Sequence, residues 1–144
     1  MMKKFLKSGL AMTAALLLAT GTAHAQEASK RDAIYYNVVL VDFKPGKTGA
    51  ALKIIKDYFQ KASDMAGTAK PVQHGMMTGN WDMMLIWTME GGMADAEWVN
   101  SPRDLKWITA LAELTGSQEK AMAKWQEYQS LVAKTTSAYS YVEN

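Results

Sequence analysis

The spacing of hydrophobic and polar residues changes along the chain, which predicts alternating strands and helices. Residues 35–43 are mostly β-branched or aromatic and run into Lys44-Pro45-Gly46, a turn sequence, so they predict a strand. Over residues 48–65 apolar positions recur every three or four residues opposite a lysine-rich side, which predicts an amphipathic helix ending near Gly67. Residues 72–78 and 81–90 predict two strands joined by Gly79-Asn80, a hairpin connection.

The last third of the chain predicts helices and one closing strand. Residues 95–100 predict a short helical turn, and Ser101-Pro102 predict a cap and a first-turn proline for a helix through Leu114. A further helix starts at Ser117, and residues 137–142 predict an edge strand. The order β-α-β-β-α-α-β predicts the α+β class, as a ferredoxin-like antiparallel sheet with helices on one face.

Alternate side chains of a strand point to opposite faces of its sheet, so the two long strands can be sorted by face. One face is aliphatic and is expected to pack under the helices: Val38, Leu40, Met84 and Ile86. The other face carries an amide, an indole and thioethers, and we expect it to line the interior of a barrel. Its candidate ligand-binding residues are Asn37, Val39, Met83, Leu85, Trp87 and Met89.

The first residues are typical of an export signal. Lys3, Lys4 and Lys7 precede an apolar run over residues 9–20, and Ala23-His24-Ala25 match a peptidase site. A run of that length is shorter than the ~20 residues of a membrane-spanning helix, so a cleaved leader is predicted. We expect a signal peptide over residues 1–25, a flexible lead-in over 26–33 and one domain over 34–144. The mature protein is then periplasmic or secreted, without a membrane anchor.

Cleavage also changes the charge balance of the chain. Three of the 16 basic residues lie in the leader and all 14 acidic ones follow it, so the mature chain is close to neutral. A near-neutral chain with interspersed charges has no electrostatic footprint for nucleic acid or for an anionic membrane. The absence of cysteine excludes disulfides, thiol catalysis and thiolate metal sites.

Three short segments resemble the dimeric α/β-barrel superfamily, which includes antibiotic-biosynthesis-type monooxygenases and stress-responsive domains. They are residues 43–47 (FKPGK) before a helix, residues 78–82 (TGNWD) before a long apolar strand, and Trp98 with Ser101-Pro102 on the next helix. The resemblance spans about residues 35–114 and implies two protomers whose sheets pair into a barrel. The exposed apolar sheet face of a lone protomer independently predicts a homodimer.

Few residues offer chemistry. His74 is the one histidine after the leader, and with Asn37 it is a weak candidate for a catalytic group; a structural role is the alternative for each. One histidine makes no metal site by itself, so neither a metal nor a cofactor is expected. Arg103 and Asp104 are expected on a solvated helix start.

The resemblance bears on haem chemistry as well. Haem-degrading members of the superfamily use an Asn of the first strand, a Trp of the third and a His of the following helix. Asn37 and Trp87 lie on the corresponding strands, but residues 93–134 contain no histidine, so haem degradation is not expected.

Three functions remain open at this point. The first is binding of a small apolar or aromatic molecule in the barrel cavity. The second is a cofactor-independent oxygenase or isomerase, which needs His74 or Asn37 to meet the substrate. The third is a structural or interaction protein with a closed barrel. We favour the first.

Overall fold

The computed structural model describes residues 29–144, so the predicted leader and the first three residues of the predicted lead-in lie outside the described part. The strands are β1 (Ala33–Phe43), β2 (Val72–Gly75), β3 (Met83–Met89) and β4 (Val132–Glu143). The helices are α1 (Thr48–Ile54), α2 (Gln60–Ala66), α3 (Pro102–Thr115) and α4 (Gln118–Leu131). A π-helical turn (Ile55–Phe59) joins α1 to α2, and a 3₁₀ turn (Gly92–Glu97) follows β3. No helix within residues 29–144 is long and apolar enough to cross a bilayer.

The four strands form one sheet in the order β2-β3-β1-β4, and each neighbouring pair is antiparallel. In the central pair, Asn37 lies opposite Trp87 and Val38 opposite Ile86. This α+β architecture confirms the predicted class and is consistent with a ferredoxin-like fold. Strands β1 and β2 point the same way because both are antiparallel to β3, which lies between them.

The prediction that Val38, Leu40, Met84 and Ile86 pack under the helices is wrong. The core is built on the other face of the sheet, where Val41, Phe43 and Met83 cluster with Ala51 and Ile55 of the helical segment. Both faces are apolar, so composition did not distinguish them. The side that a helix covers is set by the right-handed crossover between parallel strands, here β1 and β2. We call the uncovered side the open face and the covered side the helix face.

Small residues hold the helices together in a second core. Ala62 of α2, Ala110 and Leu111 of α3, and Ala121 of α4 are all buried and in one cluster. Alanine at these crossings lets the helix axes approach closely, and the cluster keeps α2, α3 and α4 together above the sheet.

The predicted cap at Ser101 is confirmed. The Ser101 hydroxyl accepts the Asp104 backbone N–H at 3.1 Å, and the Asp104 carboxylate accepts the Ser101 N–H at 2.8 Å. This capping box satisfies two of the free N–H groups at the start of α3, and Pro102 occupies its first position. The cap orients the first turn of α3, which carries Arg103 toward the sheet.

Candidate functional site

Two adjoining cavities lie on the helix face of the sheet. The larger, about 660 Å³, is mainly apolar, and we call it the aromatic cavity. The smaller, about 540 Å³, has more polar walls, and we call it the polar cavity. Trp87, Arg103 and Asp104 line both, so these residues form the boundary between the two spaces.

Four aromatic side chains form one wall of the aromatic cavity. Phe59 of the π-helical turn contacts the rings of Trp107, Trp125 and Tyr128, with centroid distances of 5.5, 5.5 and 5.2 Å. The Trp107 indole N–H donates to the Phe59 backbone oxygen at 3.1 Å, which fixes the orientation of that indole. Burial raises the pKa of the Tyr128 phenol, so this group is neutral at physiological pH. The wall is therefore uncharged and formed by rings in mutual contact.

The polar cavity begins at a row of side chains that crosses three strands. Asn37 of β1 lies between Trp87 of β3 and Tyr139 of β4 in register, and all three line this cavity. The opposite wall comes from the segment between β3 and α3 and includes Asp95, Trp98 and Ser101. The site thus has aromatic side chains on both walls and an amide between two of them.

The Asn37 side chain has an unsatisfied polar atom. Its Oδ1 is buried and accepts no hydrogen bond from any residue of the described part of the chain. A buried acceptor without a partner costs about 1–3 kcal/mol, so native structures rarely keep one without a functional reason. Asn37 is therefore a good candidate for contact with a hydrogen-bond donor that enters the polar cavity.

Acidic side chains outnumber basic ones around the polar cavity. Glu90, Asp95 and Asp104 supply carboxylates, whereas Arg103 is the one basic residue among the lining side chains. Asp95 accepts the Gly91 backbone N–H at 3.0 Å, and Asp104 serves the helix cap. The Arg103 guanidinium lies 5.6 Å from the centre of the Trp87 ring, a cation–π distance. The cavity carries an excess of negative charge, which disfavours an anionic guest.

The structure brings together most of the predicted ligand-binding residues. Asn37 and Met89 line the polar cavity, Val39 and Leu85 line the aromatic cavity, and Trp87 lines both. Met83 shares their face but is 1% exposed in the core, and it lines neither cavity. These residues lie under the helices of one chain, so the expectation that their face forms the interior of a two-chain barrel is wrong.

His74 is separated from this group. It pairs with Met84 in register, which places it on the open face, and its side chain is exposed. It lines neither cavity, so the two candidate catalytic residues, His74 and Asn37, do not converge. Within residues 29–144 no group of three His, Cys, Asp or Glu side chains is arranged to hold a metal ion.

Some cavity residues were missed by the sequence reasoning. Arg103 and Asp104, expected on a solvated helix start, are half-buried between the two cavities. Trp107, Trp125 and Tyr128 were not assigned to a site. The spacing of Trp125 and Tyr128 on one side of α4 was visible, but a helical stripe does not indicate whether it meets a cavity or a filled core.

Comparisons with known proteins support the fold. No protein-family model matches this chain, and no curated protein sequence does. The chain is similar to a NipSnap family protein of unknown function from Agrobacterium tumefaciens C58, with a TM-score of 0.52 and 13% identity over 78% of this chain and 91% of that one. A second crystal structure of the same protein gives a TM-score of 0.50 and 14% identity over 74% of this chain and 90% of that one.

Another NipSnap family protein from the same organism gives a TM-score of 0.51 and 12% identity, covering 74% of this chain and 90% of that one. At such low identity these similarities show the fold alone. They support the coarse part of the resemblance noted from the sequence, an antiparallel sheet with helices of the ferredoxin-like type.

Proposed function

We propose that this protein is an exported binding protein that holds a small apolar or aromatic molecule between its sheet and its helices. The observation that carries the proposal is the aromatic cavity, whose volume of about 660 Å³ is bounded mainly by apolar side chains. Ligand sites typically occupy about 300–1,000 Å³ and combine apolar walls with a few polar groups. Here Arg103, which lines both cavities, and Asn37 of the adjoining polar cavity are such groups. The predicted leader supports a periplasmic or secreted location.

The polar cavity favours a neutral, hydrogen-bond-donating group on the ligand. A hydroxyl or amide N–H would satisfy the free oxygen of Asn37, which no described residue does. A carboxylate would meet Glu90, Asp95 and Asp104, with Arg103 as the one compensating charge. Like charges in a partly desolvated site cost free energy, so organic acids are expected to bind less tightly than the matching alcohols or phenols.

Three naphthalenes that differ in one substituent test this proposal by isothermal titration calorimetry. 2-Naphthol is expected to bind most tightly, because its hydroxyl donates to Asn37. 2-Methoxynaphthalene lacks the donor and is expected to bind about 2- to 10-fold more weakly, the equivalent of one hydrogen bond. 2-Naphthoate is expected to bind weakest. If none of the three bound, the proposal would be overturned.

A matched pair of tryptophan variants locates the binding. Trp87→Leu is expected to weaken 2-naphthol binding at least tenfold, because Trp87 lines both cavities. Trp81→Leu is the control, since Trp81 lies beside Lys134 and lines neither cavity. Equal loss in both variants would place the ligand elsewhere.

Binding is proposed in preference to the alternatives. A cofactor-independent oxygenase or isomerase would have Asn37 at the cavity, but His74 lies on the opposite face of the sheet. A structural protein with a closed interior has less support, because the two cavities are large compared with ordinary packing defects.

A homodimer formed through the open face belongs to the same proposal. The centre of that face is aliphatic, and its rim carries Ile34, Val72 and Val142, which are 43%, 59% and 57% exposed. An apolar sheet face of this kind is typical of a protein interface. A second copy of this chain is the expected partner, in agreement with the resemblance to dimeric barrels.

Analytical ultracentrifugation checks the dimer. The protein is expected to sediment as a dimer at micromolar concentration, and Ile86→Asp is expected to give a monomer, because a carboxylate buried in an apolar interface has no partner. Met77→Asp is the control, since Met77 is 98% exposed on the β2–β3 connection. A stable monomer at micromolar concentration for the unmodified protein would contradict the prediction.

A further inference from the structure

The chain has an unusual supply of soft metal ligands. It contains 11 methionines, eight of them after the predicted leader, and no cysteine, and His74 is the one histidine after that leader. Thioethers are soft ligands that select monovalent copper and its chemical relatives, and imidazole also binds copper. A methionine that the fold brings next to His74 would therefore complete a pair of soft ligands.

Strand register places two methionines beside His74. Met84 of β3 is its direct partner across the β2–β3 pair. Directly opposite residues of an antiparallel pair have Cβ atoms about 4.5–5.5 Å apart, within reach of a long thioether and an imidazole. Neither side chain points to the cavities, because this pair is on the open face.

Met76, the residue after β2, is a third candidate ligand. Its backbone N–H donates to the backbone carbonyl oxygen of Asp82 at 2.8 Å, so the hydrogen-bonded pairing of β2 with β3 continues one residue beyond Gly75. Met76 is thus two residues from His74 along an extended strand, on the same face and about 6.6 Å away. Met76 is 38% exposed in the single chain and lies at the outer edge of the sheet, beside the rim of the proposed dimer interface.

The carboxylates near these three residues, those of Asp82 opposite Met76 and of Asp42 on β1, already have partners. The Asp82 carboxylate accepts the Phe43 backbone N–H at 2.9 Å, and the Asp42 carboxylate pairs with Lys134 at 3.7 Å. The β1 neighbour of Met84 is Leu40. The three proposed ligands are two thioethers and one imidazole, a set that suits a soft monovalent cation better than Zn²⁺, Mg²⁺ or Ca²⁺.

We propose that His74, Met76 and Met84 form a binding site for a soft monovalent metal ion, Cu⁺ or its analogue Ag⁺, at the β2 edge of the open face. The site is separate from the cavities and independent of the proposed ligand. Two of its ligands lie on the neighbouring strands β2 and β3, and the third directly follows β2, so the backbone pairing spaces them before the metal binds.

Titration of the purified protein with Ag⁺ in chloride-free buffer, followed by calorimetry, tests the site. One ion per chain is expected to bind, and Met84→Leu, Met76→Leu and His74→Gln are each expected to weaken that binding at least tenfold. Leucine keeps the apolar volume of methionine, so the fold and the sedimentation behaviour are expected to remain those of the unmodified protein.

Two comparisons make the result decisive. Met122→Leu removes a methionine that is 51% exposed on α4, and it is expected to leave Ag⁺ affinity unchanged. Zn²⁺ is expected to bind at least a hundredfold more weakly than Ag⁺. Absence of Ag⁺ binding, equal weakening by Met122→Leu and Met84→Leu, or tighter binding of Zn²⁺ would each overturn the proposal.

Discussion

Replacing Met83 by alanine is expected to lower the free energy of unfolding by about 2–5 kcal/mol, the usual cost of truncating a large buried side chain. Met83 is 1% exposed and lies in the cluster that joins β1 and β3 to the first helical segment. The loss combines the transfer free energy of the removed atoms with the cost of the cavity left behind. It is a large fraction of the total stability of a domain of this size. Urea denaturation followed by tryptophan fluorescence measures it.

Met122→Ala is the matched control for this prediction. The same side-chain atoms are removed, but Met122 is 51% exposed on α4, so the change is expected to be within about 0.5 kcal/mol. The difference between the two variants isolates the effect of burial. Similar losses at both positions would show that Met83 does not occupy the core.

Replacing Asn37 by leucine is expected to have opposite effects on stability and on binding. The buried Oδ1 of Asn37 has no partner among the described residues, and removing an unsatisfied buried acceptor is expected to raise the free energy of unfolding by about 1 kcal/mol. The same change removes the group that orients the ligand, so 2-naphthol is expected to bind about 2- to 10-fold more weakly. Denaturation and calorimetry on one preparation give both values.

Asn100→Leu is the control, because Asn100 is exposed just before α3 and lines neither cavity. It is expected to leave 2-naphthol binding unchanged. A loss of stability in Asn37→Leu would indicate that the amide is satisfied in solution. Unchanged binding would indicate that Asn37 does not contact the ligand, while binding by the unmodified protein would still support the cavity.

Local sequence signals predicted most of the elements, with errors at positions that depend on pairing. The cap at Ser101 and the turn at Lys44-Pro45-Gly46 were correct because both are determined by neighbouring residues. The last strand was predicted over residues 137–142, whereas it spans Val132–Glu143. The first half of this strand lacks the alternating apolar pattern that predicts a strand. It forms a strand because it pairs with β1.

The candidate site likewise depends on tertiary packing that local sequence signals do not predict. Arg103 carries no sequence signal for burial, since an arginine in the first turn of a helix is usually solvated. It lies at the boundary of two cavities because the capped α3 packs above the sheet next to Trp87. The aromatic residues of α3 and α4 likewise form a cavity wall only through the packing of both helices against the π-helical turn.

The sequence by itself determined which side chains share a face, because successive residues of a strand alternate by geometry alone. It therefore grouped Asn37 with Val39 on β1 and Leu85 with Trp87 on β3. The expectation that these two pairs share one face was correct, but only the tertiary structure decided that the helices cover this face and that His74 lies on the other. Strand register and the handedness of the β1–β2 crossover are properties of the whole sheet, and no local pattern of residues encodes them.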